Sequence, residues 1–175
     1  MEPPQTQDCF SLFDLPPAFD IDVDALTARY RRLQQLIHPD RYSTAGEQAR
    51  RLAAQRAARI NAAYQTLKDP LARARHLLEL RGADVEKTGT VEPEFLMEQM
   101  ALRERLAALR AGGSREALRD LLADIDHRQQ ACCQRLGRAL REDALDTACR
   151  LYQEFQFLRR LHEEALDLEE RMGDA

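Results

Sequence analysis

Leu33-Gln34-Gln35-Leu36-Ile37-His38-Pro39-Asp40-Arg41-Tyr42 is the stretch on which the fold turns. Upstream of it, Val23, Leu26, Tyr30, Leu33 and Ile37 recur at three- and four-residue steps, the period of one helix face, and Asp22 can cap that helix. The residue before a proline is pushed out of the α region, so the helix must stop at His38. Downstream, the polar run Arg41 to Gly46 gives way to a second long period with Leu52, Ala53, Ile60, Ala63, Tyr64 and Leu67 on one face, closed by Asp69-Pro70. Two long helices joined by a short polar loop pack as an antiparallel hairpin, with His-Pro-Asp exposed at the tip.

The surroundings continue in helical terms. A Pro-rich lead, expected to be mobile, precedes an apolar cluster of Phe10, Leu12, Phe13 and Leu15 that Pro16-Pro17 must end. A short helix from Leu71 to Arg81 runs into Gly82, a favourable residue just past a helix C-terminus. Residues 83–92 are polar and aperiodic and read as a linker. Pro93 suits the first turn of a helix running to about Arg110, and Ala111-Gly112-Gly113-Ser114 breaks it. A helix carrying Leu118, Leu121, Leu122, Ile125, Leu136 and Leu140 follows, and then one from Glu142 to about Met172 carrying Leu145, Cys149, Tyr152, Phe155, Leu158, Leu161 and Leu168. The expected architecture is all-α: a hairpin domain over residues 1–82, a linker over 83–92 and an antiparallel three-helix bundle over 93–175.

Composition agrees and narrows the function classes. The chain has 175 residues, 44% of them hydrophobic and 32% charged, with no Trp and few Gly or Pro, a balance that suits helices over strands. The net charge of -4 argues against general affinity for nucleic acid, which needs clustered cations. It is unevenly spread, +1 over residues 1–91 and -5 over 92–175, so the first half has the more basic face to offer. Nearly all positive charge is arginine, with Lys68 and Lys87 the only lysines; nothing structural explains that bias. No apolar run reaches the ~18 residues of a membrane span and the start resembles no signal sequence, so no membrane is expected and the cytoplasm is the default. Cys9, Cys132, Cys133 and Cys149 lack Cys-x-x-Cys spacing, and neither a metal nor a cofactor is indicated. His76, His127 and His162 are scattered and read as surface residues.

A His-Pro-Asp loop holds no nucleophile with its base, no phosphate-cradling glycines and no metal set, so recognition is its expected use and no catalytic residue is assigned. An acid-base role for His38 and Asp40 is disfavoured because a hairpin tip offers no cleft. Pro39 fixes the loop and Asp40 offers a carboxylate for a charge-assisted pair with a partner's arginine. Arg29, Arg31, Arg32 and Arg41 place positive charge around it, which speeds encounter with an acidic surface.

Helix, His38-Pro39-Asp40, helix and then Ile60-Asn61-Ala62-Ala63-Tyr64-Gln65-Thr66-Leu67-Lys68-Asp69-Pro70 together resemble a J domain. The resemblance implies that His38, Pro39 and Asp40, helped by Arg29, Arg31, Arg32 and Arg41, dock on a DnaK-like chaperone and stimulate its ATPase. Arg73-Ala74-Arg75-His76-Leu77-Leu78 and Phe95-Leu96-Met97-Glu98-Gln99-Met100 extend the likeness, from about Phe10 to Leu168, to the HscB co-chaperones of iron-sulfur cluster assembly. Such a protein delivers an IscU-type scaffold to an HscA-type chaperone. The resemblance assigns scaffold binding to Leu96, Met97, Met100, Glu104 and Phe157. Where that family commonly has an acidic residue this chain has Ala101, and only Cys9 stands where some relatives carry paired Cys-x-x-Cys motifs. On the residues alone, Leu96, Met97 and Met100 lie within about one turn and suit an adaptable apolar patch, while Phe157 falls off the stripe of Tyr152, Phe155 and Leu158 and is free to face outward. A J-domain protein serving another client is the alternative.

Overall fold

The computed structural model describes residues 8–37, 46–85 and 93–173. Seven helices are described, and no strand occurs among the described residues: α1 (Cys9–Leu12), α2 (Val23–Leu36), α3 (Glu47–Lys68), α4 (Pro70–Leu80), α5 (Pro93–Arg110), α6 (Arg115–Arg141) and α7 (Leu145–Gly173). They fall into two compact units, Met1–Gly82 and Ala83–Ala175. Of the stretch expected as a linker, residues 86–92 lie outside the described residues, as does most of the proline-rich lead.

In the first unit the helix boundaries follow from local chemistry. Asp22 Oδ1 accepts the backbone N–H groups of Asp24 and Ala25, both at 2.9 Å, capping α2. Asp69 Oδ1 accepts from Ala72 N–H at 2.7 Å, and Pro70 occupies the first position of α4, where its missing N–H costs nothing. Gly82, at φ +75°, takes the left-handed position that follows α4. α2 and α3 run antiparallel, since Thr27 meets Tyr64 while the later Tyr30 meets the earlier Asn61. Leu26, Leu67, Leu77 and Leu78 fill the core with Phe10 and Phe13 from the N-terminal turn.

Three expectations need correction in this unit. His76 is buried, 6% exposed, because its Nε2 accepts the Cys9 N–H at 3.0 Å and its ring stacks on Phe10 at 5.9 Å, docking α1 on α4. Leu52, placed on the buried face of α3, is 47% exposed, and Val23 at the head of α2 is 38% exposed. Both sit at ends of the helical stripe, where no neighbouring element among the described residues covers them. Arg73 is also buried: its Nη1 donates to Leu67 O at 2.6 Å and its guanidinium lies 5.1 Å from the Phe19 ring centroid, so one long side chain joins α3, α4 and the N-terminal segment.

In the second unit α6 and α7 form the main antiparallel pair, with Leu118, Leu121, Ile125, Leu136 and Leu140 buried against Leu151, Tyr152, Phe155, Leu158 and Leu161. Ser114 caps α6 through the N–H of Ala117. Gly113 is obligatory in the preceding turn, because a Cβ there would stand 2.7 Å from Leu109 Cα. α5 completes the bundle through Leu102 and Leu106 alone among fully buried side chains of that helix.

Candidate functional site

Ile60 and Ala63 of the segment Ile60-Asn61-Ala62-Ala63-Tyr64 face the core, while Asn61 and Tyr64 grip α2. The Tyr30 and Tyr64 rings stack at 4.1 Å with 14° between their planes. Asn61 Oδ1 accepts the Tyr30 hydroxyl at 3.0 Å and also the Gln34 side-chain amide. Tyr64 Oη is 3.2 Å from Thr27 Oγ1. These contacts fix the register of the hairpin whose connection carries the tripeptide. His38, Pro39, Asp40 and Arg41 themselves lie outside the described residues.

The remaining arginines divide. Arg31 and Arg32 are exposed on α2, away from Leu26. Arg29 is exposed too, but its Nη1 donates to Phe13 O at 2.5 Å and to Asp14 O, and Asp14 has a positive φ of 52°. It therefore secures the turn after α1, a use that its position in the sequence did not disclose.

The second candidate site lies on α5. Leu96 (50% exposed), Met97 (64%) and Met100 (55%) are large apolar side chains open to solvent. At about 100° per residue, they and the exposed Glu104 occupy an arc of about 100° opposite Leu102 and Leu106. The helix is thus apolar on two opposite sides, and only one is used by the bundle. A solvent-exposed apolar face on a helix already packed by its other face marks an interaction surface. Phe157 of α7 is half-buried at the border of this face: it meets the edge of Phe95 at 6.0 Å and 90°, and the Arg103 guanidinium lies 5.5 Å from its centroid.

Polar ties hold α5 in place. Asp124 of α6 receives Arg105 Nη1 at 2.6 Å and Arg128 Nε at 2.8 Å, and Arg128 reaches Glu98 at 3.5 Å. Partial burial pushes the Asp124 carboxyl up, but the hydrogen bonds and charges of Arg128 and Arg105 outweigh it and hold the group below its ordinary value. On the other flank Arg110 pairs with Glu164 at 2.9 Å.

Burial pushes the Cys132 thiol, which donates to Leu151 O at 3.3 Å, up to about 12, and raises Cys9 and Cys149 as well. Among the described residues no group of three His, Cys, Asp or Glu side chains is arranged to hold a metal ion. No described helix is long and apolar enough to cross a membrane.

Residues 91–166, which include the α5 face and Phe157, match the family model described as the HscB C-terminal oligomerisation domain. Over 168 residues the chain is 42% identical to the co-chaperone protein HscB homolog of Ralstonia nicotianae, covering 94% of this chain and 96% of that one. The chain belongs to the HscB co-chaperone family. The HscB homolog of Burkholderia multivorans is also 42% identical, with 89% and 90% covered. Among solved structures, chaperone HscB from Vibrio cholerae superposes with a TM-score of 0.84 at 36% identity, covering 95% of this chain and 99% of that one. Human HscB gives 0.85 at 27%, with 94% and 83% covered. The all-helical architecture of HscB, an N-terminal J domain and a C-terminal helical bundle, is the architecture of this chain.

Proposed function

We propose that this HscB-family chain binds an IscU-type iron-sulfur cluster scaffold protein through its C-terminal bundle, presents it to a DnaK-like chaperone of the HscA type and stimulates that chaperone's ATPase, so aiding iron-sulfur protein maturation. The observation that carries the reading is the uncovered apolar face of α5, Leu96-Met97-Met100, carried on a chain whose other unit is a J domain. It acts as an adaptor in the cytoplasm rather than as an enzyme, with the J domain over 1–82, a linker over 83–92 and the client-binding domain over 93–175.

The division of labour follows from the chemistry. His38, Pro39 and Asp40 dock on the chaperone, with Arg31, Arg32 and Arg41 supplying steering charge and Arg29 securing the turn after α1 as well as adding to that charge. Leu96, Met97 and Met100 give the scaffold an adaptable apolar surface, Glu104 a polar contact, and Phe157 an aromatic border. A steady-state ATPase assay of the cognate chaperone tests the first half. Asp40→Asn should abolish stimulation while leaving scaffold binding, read by calorimetry, intact. Full stimulation by that variant refutes the docking role, and failure of the scaffold to bind the unaltered chain refutes the client.

A further inference from the structure

The fully buried side chains of α5, Leu102 and Leu106, lie one turn apart on a single line, and one line of contact leaves a helix free to roll about its axis. Near its ends α5 is tied to α7 by the Phe95–Phe157 contact and the Arg110–Glu164 pair; between them the tie is a carboxylate of α6. Asp124 Oδ2 accepts from Arg105 Nη1 at 2.6 Å and its Oδ1 from Arg128 Nε at 2.8 Å, while Arg128 Nη1 lies 3.5 Å from Glu98 Oε2. Both oxygens of one carboxylate are thus engaged by two guanidiniums, a charge-assisted arrangement that fixes direction as well as distance. The Asp124 side chain is 30% exposed against 59% for Glu98, so the hub of the network is drawn in while its outer end stays in water.

Glu98 and Arg105 stand seven residues apart, about two turns along one flank of α5, and the helical period sets that flank beside Met97 at the border of the exposed face. Asp124 therefore grips α5 at two points, directly through Arg105 and indirectly through Arg128 and Glu98. A roll that turned Leu96, Met97 and Met100 aside would have to break both. We infer that Asp124 is a positioning residue for client binding: from α6 it sets the rotation of α5, and with it the direction in which Leu96, Met97 and Met100 are presented. This rests on the scaffold-binding reading and adds to it a residue outside the binding face. An exposed ion pair on its own contributes little, but these pairs share one carboxylate, so removing its charge releases both grips together. An apolar face already held in one orientation loses less freedom on docking than one that rolls.

The test is calorimetry of the full chain with the scaffold protein, beside nuclear magnetic resonance of the Met97 and Met100 methyl groups. Asp124→Asn should weaken binding about threefold to tenfold and shift both methyl signals, while the Met172 methyl, near the end of α7, stays in place. Asp124→Glu, which keeps the carboxylate, should recover most of the affinity and bring the signals back. Cys132→Ala, a core change on α6 against Leu151 of α7, should lower the melting temperature without altering affinity, which separates positioning from a general loss of stability. Unaltered affinity in Asp124→Asn beside an unaltered chain that binds, or equal weakening in Cys132→Ala, overturns the positioning role. Failure of the unaltered chain to bind overturns the client reading, and the methyl signals then judge Asp124 by themselves: moved in Asp124→Asn they support its hold on α5, unmoved they overturn it.

Discussion

Asn61 Oδ1 lies 3.0 Å from the hydroxyl of Tyr30, joining the middle of α3 to the middle of α2. The Tyr30–Tyr64 stack and the Gln34 amide meet at the same place, so one short stretch of α3 sets how the hairpin closes. Replacing Asn61 by Ala should cost about 1 kcal/mol, since the bonds are solvent-exposed, and Tyr64→Ala about 3 kcal/mol or more, since that ring is buried. Urea unfolding followed by far-ultraviolet circular dichroism measures both; equal, negligible losses would remove Tyr64 from the hairpin core.

On α5 the two apolar sides should respond oppositely. Leu106→Ala, in the core, should destabilise the bundle by about 2 to 5 kcal/mol, whereas Met97→Ala should change stability by less than about 0.5 kcal/mol yet weaken scaffold binding. Thermal melting paired with calorimetry separates the effects. A large loss of stability in Met97→Ala would return that residue to the fold.

Asp124 predicts a pH dependence. Its carboxyl titrates below the ordinary value in the folded protein, so the stability it contributes is present above the unfolded value and is lost as pH falls through the depressed one. Asp124→Asn should therefore be less stable than the unaltered chain at pH 7, with the difference shrinking as the solution is acidified below about pH 4. Denaturant midpoints for both proteins across pH 3 to 7 give the comparison, and a difference that holds constant over that range contradicts it.

The thiols order themselves by burial. At pH 8 Cys132, pushed up to about 12 and packed against Leu151, should be the last to react with a disulfide reagent, while all four cysteines react in denaturant. Mass spectrometry of a modification time course reads the order; early modification of Cys132 would mean that α6 and α7 part readily.

Much of this was legible in the sequence because it is local. The cap at Asp22, the stop of α3 at Asp69-Pro70, the helix start at Ser114 and Gly82 beyond the end of α4 all act within a few residues of themselves. The outward face of α5 was legible only as a cluster, since Leu96, Met97 and Met100 are as apolar as core residues and periodicity cannot say which of two apolar sides is covered. The contacts made by His76, Arg29, Asn61 and Asp124 were not legible, for a different reason. Each acts on a residue at least 15 positions away, Cys9, Asp14, Tyr30 and Arg105, and no pattern within a helix encodes such a meeting.

α5 touches its own bundle with one narrow stripe, with polar ties to Asp124 and Glu164 and with an aromatic contact to Phe157 on its flanks. The side chains at 96, 97, 100 and 101 take no part in that attachment. They are consequently free to drift over generations without endangering the fold, and a change on a partner's surface can be answered here by single substitutions while Leu102 and Leu106 stay fixed.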